Sequence, residues 1–283
     1  MKSICIFGIH TFLGYALCEK YLQEGIPVYG IYEPPRTEQE KEEFEEKMML
    51  IGRNALLQTA LYEKDFPLYD ESPTLVYYVP EDKEKADQVN EKKLSRLLDW
   101  VKSKELAFIL ISSLEVFGKK QKKIAKDTIP VPDTDRGKQY LKLEQMVSSA
   151  FEEKDSHFVS FRLPLLYGPW QPKHYAFQSV LLNETAAIEE DTREILFIKD
   201  AVNAIVKTDL FSFDKGAHLY VSSGKENEWA KAAEILDIES SLSQSIDLPQ
   251  DLVIPLQETT PVEKGIQLQR VHNEQYKMLY EGK

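Results

Sequence analysis

A tyrosine and two lysines alternate in the segment RGKQYLKLE, which runs from Arg136 to Glu144. A phenol beside an ammonium group can transfer protons, because a neighbouring cation lowers the pKa of tyrosine from about 10. Both side chains must then share one helix face, as residues four apart do. Tyr140 and Lys142 are only two residues apart, about 200° around a helix, whereas Lys138 shares the face of Lys142. The spacing therefore predicts that Tyr140 and Lys142 do not work as a pair.

Glycines are spaced for phosphate binding in the turn GIHTFLG, which runs from Gly8 to Gly14. A dinucleotide turn needs glycine where the backbone bends, where it approaches the pyrophosphate and where the helix meets the sheet. Gly8 and Gly14 fit the first and third positions. Thr11 occupies the middle one, and its Cβ narrows the space through which a pyrophosphate would approach the backbone. The N-terminus of the following helix still offers N–H groups and a partial positive charge. We predict a dinucleotide site formed by Gly8, His10, Thr11, Phe12, Leu13 and Gly14.

An acidic residue follows the second strand-like run of the chain. Glu33 lies 19 residues after Gly14, near the distance at which a carboxylate binds the ribose 2′-hydroxyl of NAD. A carboxylate there repels the 2′-phosphate of NADP, so the sequence favours NAD, although Arg36 lies close by. The alternative is a fold of the same type that binds no cofactor.

Strand-like and helix-like runs alternate through the first part of the chain. The runs SICIFGI, PVYGIYEPP, TLVYYVP, LAFILISS and HFVSFRLPLLYG are apolar and rich in β-forming residues, and helical segments separate them. The first three elements have the size of one βαβ unit, which implies a parallel strand pair. The alternation predicts an α/β fold, a doubly wound parallel sheet (Rossmann fold), over residues 1–167. Residues 168–283, with shorter mixed elements, are predicted to form a smaller lobe that packs on the sheet or interleaves with it.

The composition restricts the ligands and the compartment. The 283 residues carry 47 acidic and 35 basic side chains, a formal charge of −12 that disfavours general nucleic-acid binding. Cys5 and Cys18 are too few for a disulfide framework, and no apolar run approaches the ~20 residues of a membrane span. The histidines and cysteines have no metal-ligand spacing. We therefore expect a cytoplasmic protein that binds no nucleic acid, no membrane and no metal.

Several segments together resemble one known family. FGIHTFLGYALCEKYLQEGIPVYGI, from Phe7 to Ile31, resembles the opening of the extended short-chain dehydrogenase/reductase family, the NAD-dependent sugar-nucleotide epimerases and dehydratases. ISSLEVFG, from Ile111 to Gly118, resembles that family's S-S-x-x-V-Y-G strand end. FRLPLLYGPWQP, from Phe161 to Pro172, resembles its R-x-x-x-x-Y-G-P segment, and FIKDAVNAIV, from Phe197 to Val206, its later V-x-D-V-A-x-A-I segment. The segments stand in the family's order.

The resemblance implies a Rossmann domain with a small C-terminal lobe and hydride transfer between NAD and a nucleotide sugar or similar polyol. In that chemistry a tyrosinate moves a hydroxyl proton, a lysine holds the nicotinamide ribose, and a serine orients the reacting oxygen. Ser113 matches the serine, and Lys142 matches the lysine. The tyrosine belongs four residues before the lysine, where this chain has Lys138. The resemblance therefore implies a degenerate active site in which catalysis is impaired.

Two neighbouring side chains leave alternatives open. A neutral Lys138 amine, with its pKa depressed by Lys142, could accept a proton; alternatively, both lysines stay charged and bind phosphate or ribose hydroxyls. Glu115 stands where the dehydratase branch carries a glutamate acid/base. Leu114 replaces the aspartate beside it, so we interpret Glu115 as a structural or solvated acid.

Three functions are consistent with these residues. The first is an active nucleotide-sugar epimerase, dehydratase or reductase. The second is a non-catalytic member that binds a dinucleotide or nucleotide sugar, or that serves as a structural or partner-binding domain. The third is altered chemistry with Lys138 or Tyr140 in a remodelled site. The resemblance also implies a homodimer, formed by the helix that contains Leu94 to Val101 and the helix that starts near Gly137.

Overall fold

The computed structural model describes residues 3–62, 73–81, 91–152, 156–185, 190–239 and 245–281. Its strands are β1 (Ile4–Phe7), β2 (Val28–Tyr32), β3 (Leu57–Leu61), β4 (Leu75–Tyr78), β5 (Ala107–Ser113), β6 (Phe158–Leu163), β7 (Leu165–Tyr167), β8 (Ile195–Phe197), β9 (His218–Val221) and β10 (Val253–Ile254). Eight of these form one sheet in the order β3-β2-β1-β4-β5-β6-β9-β10, and every pair in it is parallel. β7 and β8 form a separate parallel pair.

Helices cover both faces of the sheet. The described helices are α1 (Phe12–Gln23), α2 (Glu38–Ile51), α3 (Glu91–Ser103), α4 (Asp135–Phe151), α5 (Ala176–Leu181), α6 (Ile198–Lys207), α7 (Glu228–Ile235), α8 (Val262–Gln275) and α9 (Lys277–Glu281). Along β1, Ile4 and Ile6 pack with α1 and α6, while Cys5 and Phe7 pack with α3 and α4. This alternation is that of a strand buried on both sides. It confirms the predicted doubly wound α/β fold.

The C-terminal part of the chain shares the main sheet. β9 pairs with β6, and β10 pairs with β9, so strands after the predicted boundary at residue 167 complete the sheet. The division into two domains therefore stays a prediction.

The edge strand β3 was not predicted, because its sequence LQTAL is partly exposed and lacks a long apolar run. No helix in the described ranges is both long and apolar enough to cross a membrane.

A buried ion pair fixes the rotation of α4 about its axis. Glu144 accepts two hydrogen bonds from Arg162 of β6, from Nε at 2.9 Å and from Nη2 at 2.7 Å, and both side chains are about 5% exposed. Ser112 of β5 donates to the same carboxylate at 2.6 Å, and Arg162 also donates to the hydroxyl of Tyr220 at 3.0 Å. This geometry turns Glu144 toward the sheet.

The start of α4 touches the backbone after β5. A Cβ on Gly137 would lie 2.1 Å from the carbonyl oxygen of Glu115, so this approach requires glycine. Thr134 caps the helix by accepting from the N–H of Gly137 at 2.9 Å. Gly137 and Glu144 are seven residues apart, about two helical turns, and therefore lie on the same inward face.

We expect Glu144→Gln to lower the free energy of unfolding by about 3–5 kcal/mol, because it leaves the buried guanidinium of Arg162 without a counter-ion. Urea denaturation followed by circular dichroism measures this change. Glu152→Gln, at the exposed C-terminal end of the same helix, is the control, with an expected change within about 0.5 kcal/mol. Equal effects of the two substitutions would contradict the assigned rotation of α4.

Candidate functional site

The turn between β1 and α1 is a close-packed backbone loop. Gly8 has a φ of +95°, and a Cβ there would lie 2.1 Å from the carbonyl oxygen of Val79. A Cβ on Gly14 would lie 2.0 Å from the carbonyl oxygen of Gly8. Neither contact can accommodate a side chain, so both positions require glycine. The backbone therefore satisfies the first and third glycine roles of a dinucleotide turn.

Thr11, in the middle position, acts as the N-cap of α1. Its hydroxyl accepts from the N–H of Gly14 at 3.0 Å and donates to the carbonyl oxygen of Gly8 at 2.8 Å. The N–H groups of Phe12 and Leu13, in the first turn of the helix, have no acceptor among the described residues. These two donors and the positive end of the helix can bind an anion such as a phosphate.

A cavity of about 420 Å³ lies beside this loop, and we call it the larger cavity. The loop residues His10, Thr11 and Phe12 line one side of it, together with Glu33, which follows β2. The carboxylate of Glu33 accepts a hydrogen bond from Lys93 of α3 at 2.8 Å and keeps 35% of its side chain exposed. The larger cavity thus brings the predicted loop residues and the predicted ribose ligand to one groove.

A buried lysine that the sequence analysis missed supports the same loop. Lys47 of α2 is 2% exposed, and its ammonium donates to the carbonyl oxygen of His10 at 3.1 Å and to Glu43 at 2.6 Å. The ring centroids of Trp170 and Tyr15 lie 5.3 Å and 5.9 Å from its Nζ atom. In the sequence, the many acids of α2 are typical of a solvated helix, so nothing there indicates that Lys47 faces inward. The imidazole of His10 itself bonds to Glu81 at 3.0 Å.

A second, smaller cavity of about 70 Å³ lies over the ends of β4, β5 and β6. Thr11, Phe12 and Leu13 of the loop line it on one side, and Ser113 lines it at the end of β5. The Ser113 hydroxyl accepts from the N–H of Glu115 at 3.2 Å, which caps a short 3₁₀ helix, Leu114–Val116. α4 contributes Arg136 and Tyr140 to the lining.

The assignment of Lys138 and Lys142 to the site requires correction. Lys138 is 61% exposed and donates to Asp135 at 2.8 Å, a contact that lowers the pKa of that carboxyl group. Lys142 is 51% exposed and pairs with Glu91 of α3. Glu144 and Gly137 face the sheet, so residues 138 and 142 are carried to the outer face of the helix. Neither ammonium lies with Ser113 or the phosphate loop.

The residues that face the smaller cavity from α4 are Arg136 and Tyr140, which are four apart. Arg136 pairs with the carboxylate of Glu115, which is 6% exposed, and donates to the hydroxyl of Tyr175 at 3.0 Å. Thr134 donates to the other carboxylate oxygen of Glu115 at 3.0 Å. Glu115 is therefore a buried partner of Arg136. The smaller cavity is thus faced not by Tyr140 and Lys142 together but by a guanidinium and a phenol one helical turn apart.

The chain matches a known family over most of its length. Residues 4–209 match the sequence profile described as the NAD dependent epimerase/dehydratase family. The chain belongs to the NAD-dependent epimerase/dehydratase family. A comparison with curated proteins gave no match.

Solved structures with a similar fold cover nearly the whole chain. UDP-glucuronic acid 4-epimerase from Bacillus cereus, in complex with UDP-glucuronic acid and NAD, has 19% identity and a TM-score of 0.70, with 98% of this chain and 100% of that chain covered. dTDP-glucose 4,6-dehydratase from Bacillus anthracis, in complex with NAD, has 14% identity and a TM-score of 0.72, with 97% of each chain covered. WbmH from Bordetella bronchiseptica, in complex with NAD⁺, has 17% identity, a TM-score of 0.67 and coverage of 98% and 100%. At these identities the likeness shows the shared fold.

Within the NAD-dependent epimerase/dehydratase family, the expected tyrosine and lysine stand four residues apart on one helix face. In this structure, the two residues of α4 that stand four apart and line the smaller cavity are Arg136 and Tyr140. The cation comes first and the phenol second. Arginine stays protonated at all physiological pH values, so Arg136 cannot exchange the proton that a tyrosine would.

We expect Arg136→Gln to lower the free energy of unfolding by about 3–5 kcal/mol, because the buried carboxylate of Glu115 loses its cation. Lys138→Gln, on the exposed face of the same helix, removes a solvated ion pair and should change stability little. Urea denaturation of both variants tests this difference. A larger effect at Lys138 than at Arg136 would mean that α4 faces the other way.

Proposed function

We propose that this chain is a nucleotide-binding family member that does not catalyse the family's hydride transfer. The orientation of Arg136 supports this proposal, because a permanently charged guanidinium lines the smaller cavity from α4, where the resemblance leads us to expect a proton-exchanging phenol. Loss of a positioned acid/base typically lowers a rate by about 10²–10⁴-fold. The Tyr140 phenol lies one turn further along α4, and Lys138 and Lys142 point away from the smaller cavity.

Of the two nicotinamide dinucleotides, the site favours NAD over NADP. The loop offers the N–H groups of Phe12 and Leu13 for the pyrophosphate, and the larger cavity offers the carboxylate of Glu33 for the adenosine ribose. Glu40, Glu43 and Glu81 also line this cavity. Their negative charge disfavours the additional phosphate of NADP.

A nucleotide sugar is the second ligand that the family suggests. Three guanidinium groups inside the fold are already bonded to carboxylates: Arg136 to Glu115, Arg162 to Glu144, and Arg193 to Asp191. Arg193 is fully buried and donates further to the carbonyl oxygens of Leu114, Phe117, Gly118 and Gln121. A sugar diphosphate that used one of these guanidinium groups would have to displace its carboxylate partner. We therefore infer that a nucleotide sugar binds weakly and is not converted.

The outer surface of α3 and α4 argues against the expected homodimer. Their apolar residues, such as Leu94, Val101 and Val147, are buried against the sheet. Every residue of the two helices that is exposed is polar or charged: Glu91, Lys92, Ser95, Arg96, Asp99, Ser103, Asp135, Lys138, Lys142, Gln145, Ser148 and Ser149. A stable helix bundle requires an apolar seam. We infer that the chain does not dimerise through these helices.

The two cysteines bear on the cellular compartment of the protein. Cys5 and Cys18 are buried free thiols, and burial raises the pKa of Cys18 to about 12. Unreactive thiols in the core are typical of a reducing compartment, which supports our proposal of a cytoplasmic protein.

We predict that the protein elutes as a single chain of 32.7 kDa in size-exclusion chromatography with light scattering. The fully exposed residues of α3 and α4 are polar or charged, and partly buried apolar residues such as Trp100 and Met146 pack against the core. A dimer would contradict this prediction, and its disruption by Lys142→Glu would place the exposed face of α4 in the interface.

The central prediction is NAD binding without turnover. Isothermal titration calorimetry should detect NAD, whereas incubation with NAD and UDP-glucuronic acid, UDP-glucose or dTDP-glucose should give no epimerised, dehydrated or oxidised sugar by chromatography. The missing phenol is the physical reason for the second result. Sugar conversion that Tyr140→Phe abolishes without loss of fold would overturn the proposal, and so would an absence of nucleotide binding.

A matched pair of lysine variants locates the bound nucleotide. Lys47→Met removes the ammonium that supports the His10 carbonyl, and a hydrogen bond from a charged group contributes about 1.5–3 kcal/mol. We expect NAD binding to weaken by about tenfold or more. Lys41→Met alters an exposed lysine of the same helix, paired with Glu38, and should leave the affinity unchanged.

A further inference from the structure

The two cavities beside the phosphate loop differ in volume, and the difference limits which half of a dinucleotide each can hold. Thr11 and Phe12 line both of them, so they are the two halves of one groove. The half beside Glu33 has about 420 Å³, and the half beside Ser113 has about 70 Å³. These values concern the described parts of the chain.

A dinucleotide on this fold lies across the carboxyl ends of the strands, with its pyrophosphate at the N-terminus of α1. The acidic residue after β2 binds the ribose of the adenosine half, which assigns the adenosine to the larger cavity. The nicotinamide riboside must then enter the smaller cavity, over β4, β5 and β6.

The smaller cavity is lined on one side by side chains that bond to one another. Arg136 is held by Glu115 and by the hydroxyl of Tyr175, and its guanidinium carbon lies 5.1 Å from the centroid of the Tyr175 ring. Glu115 is 6% exposed and Tyr175 is 6% exposed, so both are packed within the fold. The ion pair and the ring occupy space that a nicotinamide would need.

The volumes decide between the two halves of the groove. Small-molecule pockets commonly measure about 300–1,000 Å³, a range that includes the larger cavity and excludes the smaller one. A cavity of about 70 Å³ has room for a few water molecules, since each water needs roughly 10–15 Å³. A nicotinamide ring with its ribose is larger than this space, and Arg136 and Tyr175 are among the side chains that limit it.

We propose that the groove recognises the ADP-ribose half of a dinucleotide and excludes the nicotinamide half. Its ligand class is then an adenosine diphosphate that carries no nicotinamide, such as ADP or ADP-ribose. NAD binds through the same half, with its nicotinamide riboside outside the smaller cavity. This inference rests on the proposed nucleotide-binding function.

Calorimetric titration of the full chain with ADP-ribose, ADP, NAD and nicotinamide mononucleotide tests the proposal. ADP-ribose and NAD should bind within about threefold of each other, and nicotinamide mononucleotide should not bind. NAD binding more than about tenfold tighter than ADP-ribose, or any saturable binding of nicotinamide mononucleotide, overturns the proposal. If none of the four compounds binds, nucleotide binding itself is refuted, so the two failures are distinguishable.

A variant that opens the smaller cavity provides a second measurement. Glu115→Gln combined with Arg136→Ala removes both charges of the ion pair together, so that no buried charge is left without a partner. NAD should then gain affinity relative to ADP-ribose by more than about threefold. Lys138→Ala, on the outer face of α4, is the control and should leave the ratio unchanged. An unchanged ratio in a folded double variant would show that the ion pair does not exclude the nicotinamide.

Discussion

The paired hydrogen bonds between Glu144 and Arg162 fix which side chains of α4 reach the site. Two charges buried at about 5% exposure are stable only as partners, so the helix cannot rotate without separation of the pair. The contact of Gly137 with the Glu115 carbonyl adds a steric limit to the same rotation. Together they determine that residues 136 and 140 face the groove and that residues 138 and 142 face solvent.

The consequence is a groove in which a close-packed glycine loop lies at one end and a guanidinium paired with a carboxylate lies at the other. The loop at Gly8 and Gly14 keeps the close backbone contacts that a dinucleotide turn requires, and Glu33 follows the second strand. At the other end of the groove, Arg136 is bound to Glu115. A carboxylate and a guanidinium that neutralise each other in a buried position cannot readily bind or protonate a ligand. The groove therefore has a larger half that includes several acidic side chains and a smaller half in which the charges are paired with each other.

Much of the fold was predictable from the sequence, because strands of a parallel sheet are continuous apolar runs and the helices between them are amphipathic. The phosphate loop was predictable for a similar reason: glycines at Gly8 and Gly14 reflect local backbone geometry. Lys47 was not predictable, because its burial depends on the position of α2 against Trp170, which is distant in sequence. The edge strand β3 lacked an apolar pattern.

The sequence by itself determined the doubly wound sheet, the family and the absence of a tyrosine four residues before Lys142. The tertiary structure alone decided which residues of α4 face the site. The sequence assignment matched the family's lysine to Lys142, and nothing in the sequence marks Glu144 as buried, because acids are rarely buried. Its partner Arg162 lies on strand β6, 18 residues further along the chain, and the inward face of a helix is set by such contacts with other elements rather than by the residues of the helix alone. That is why the guanidinium and phenol of the site became apparent only in the folded chain.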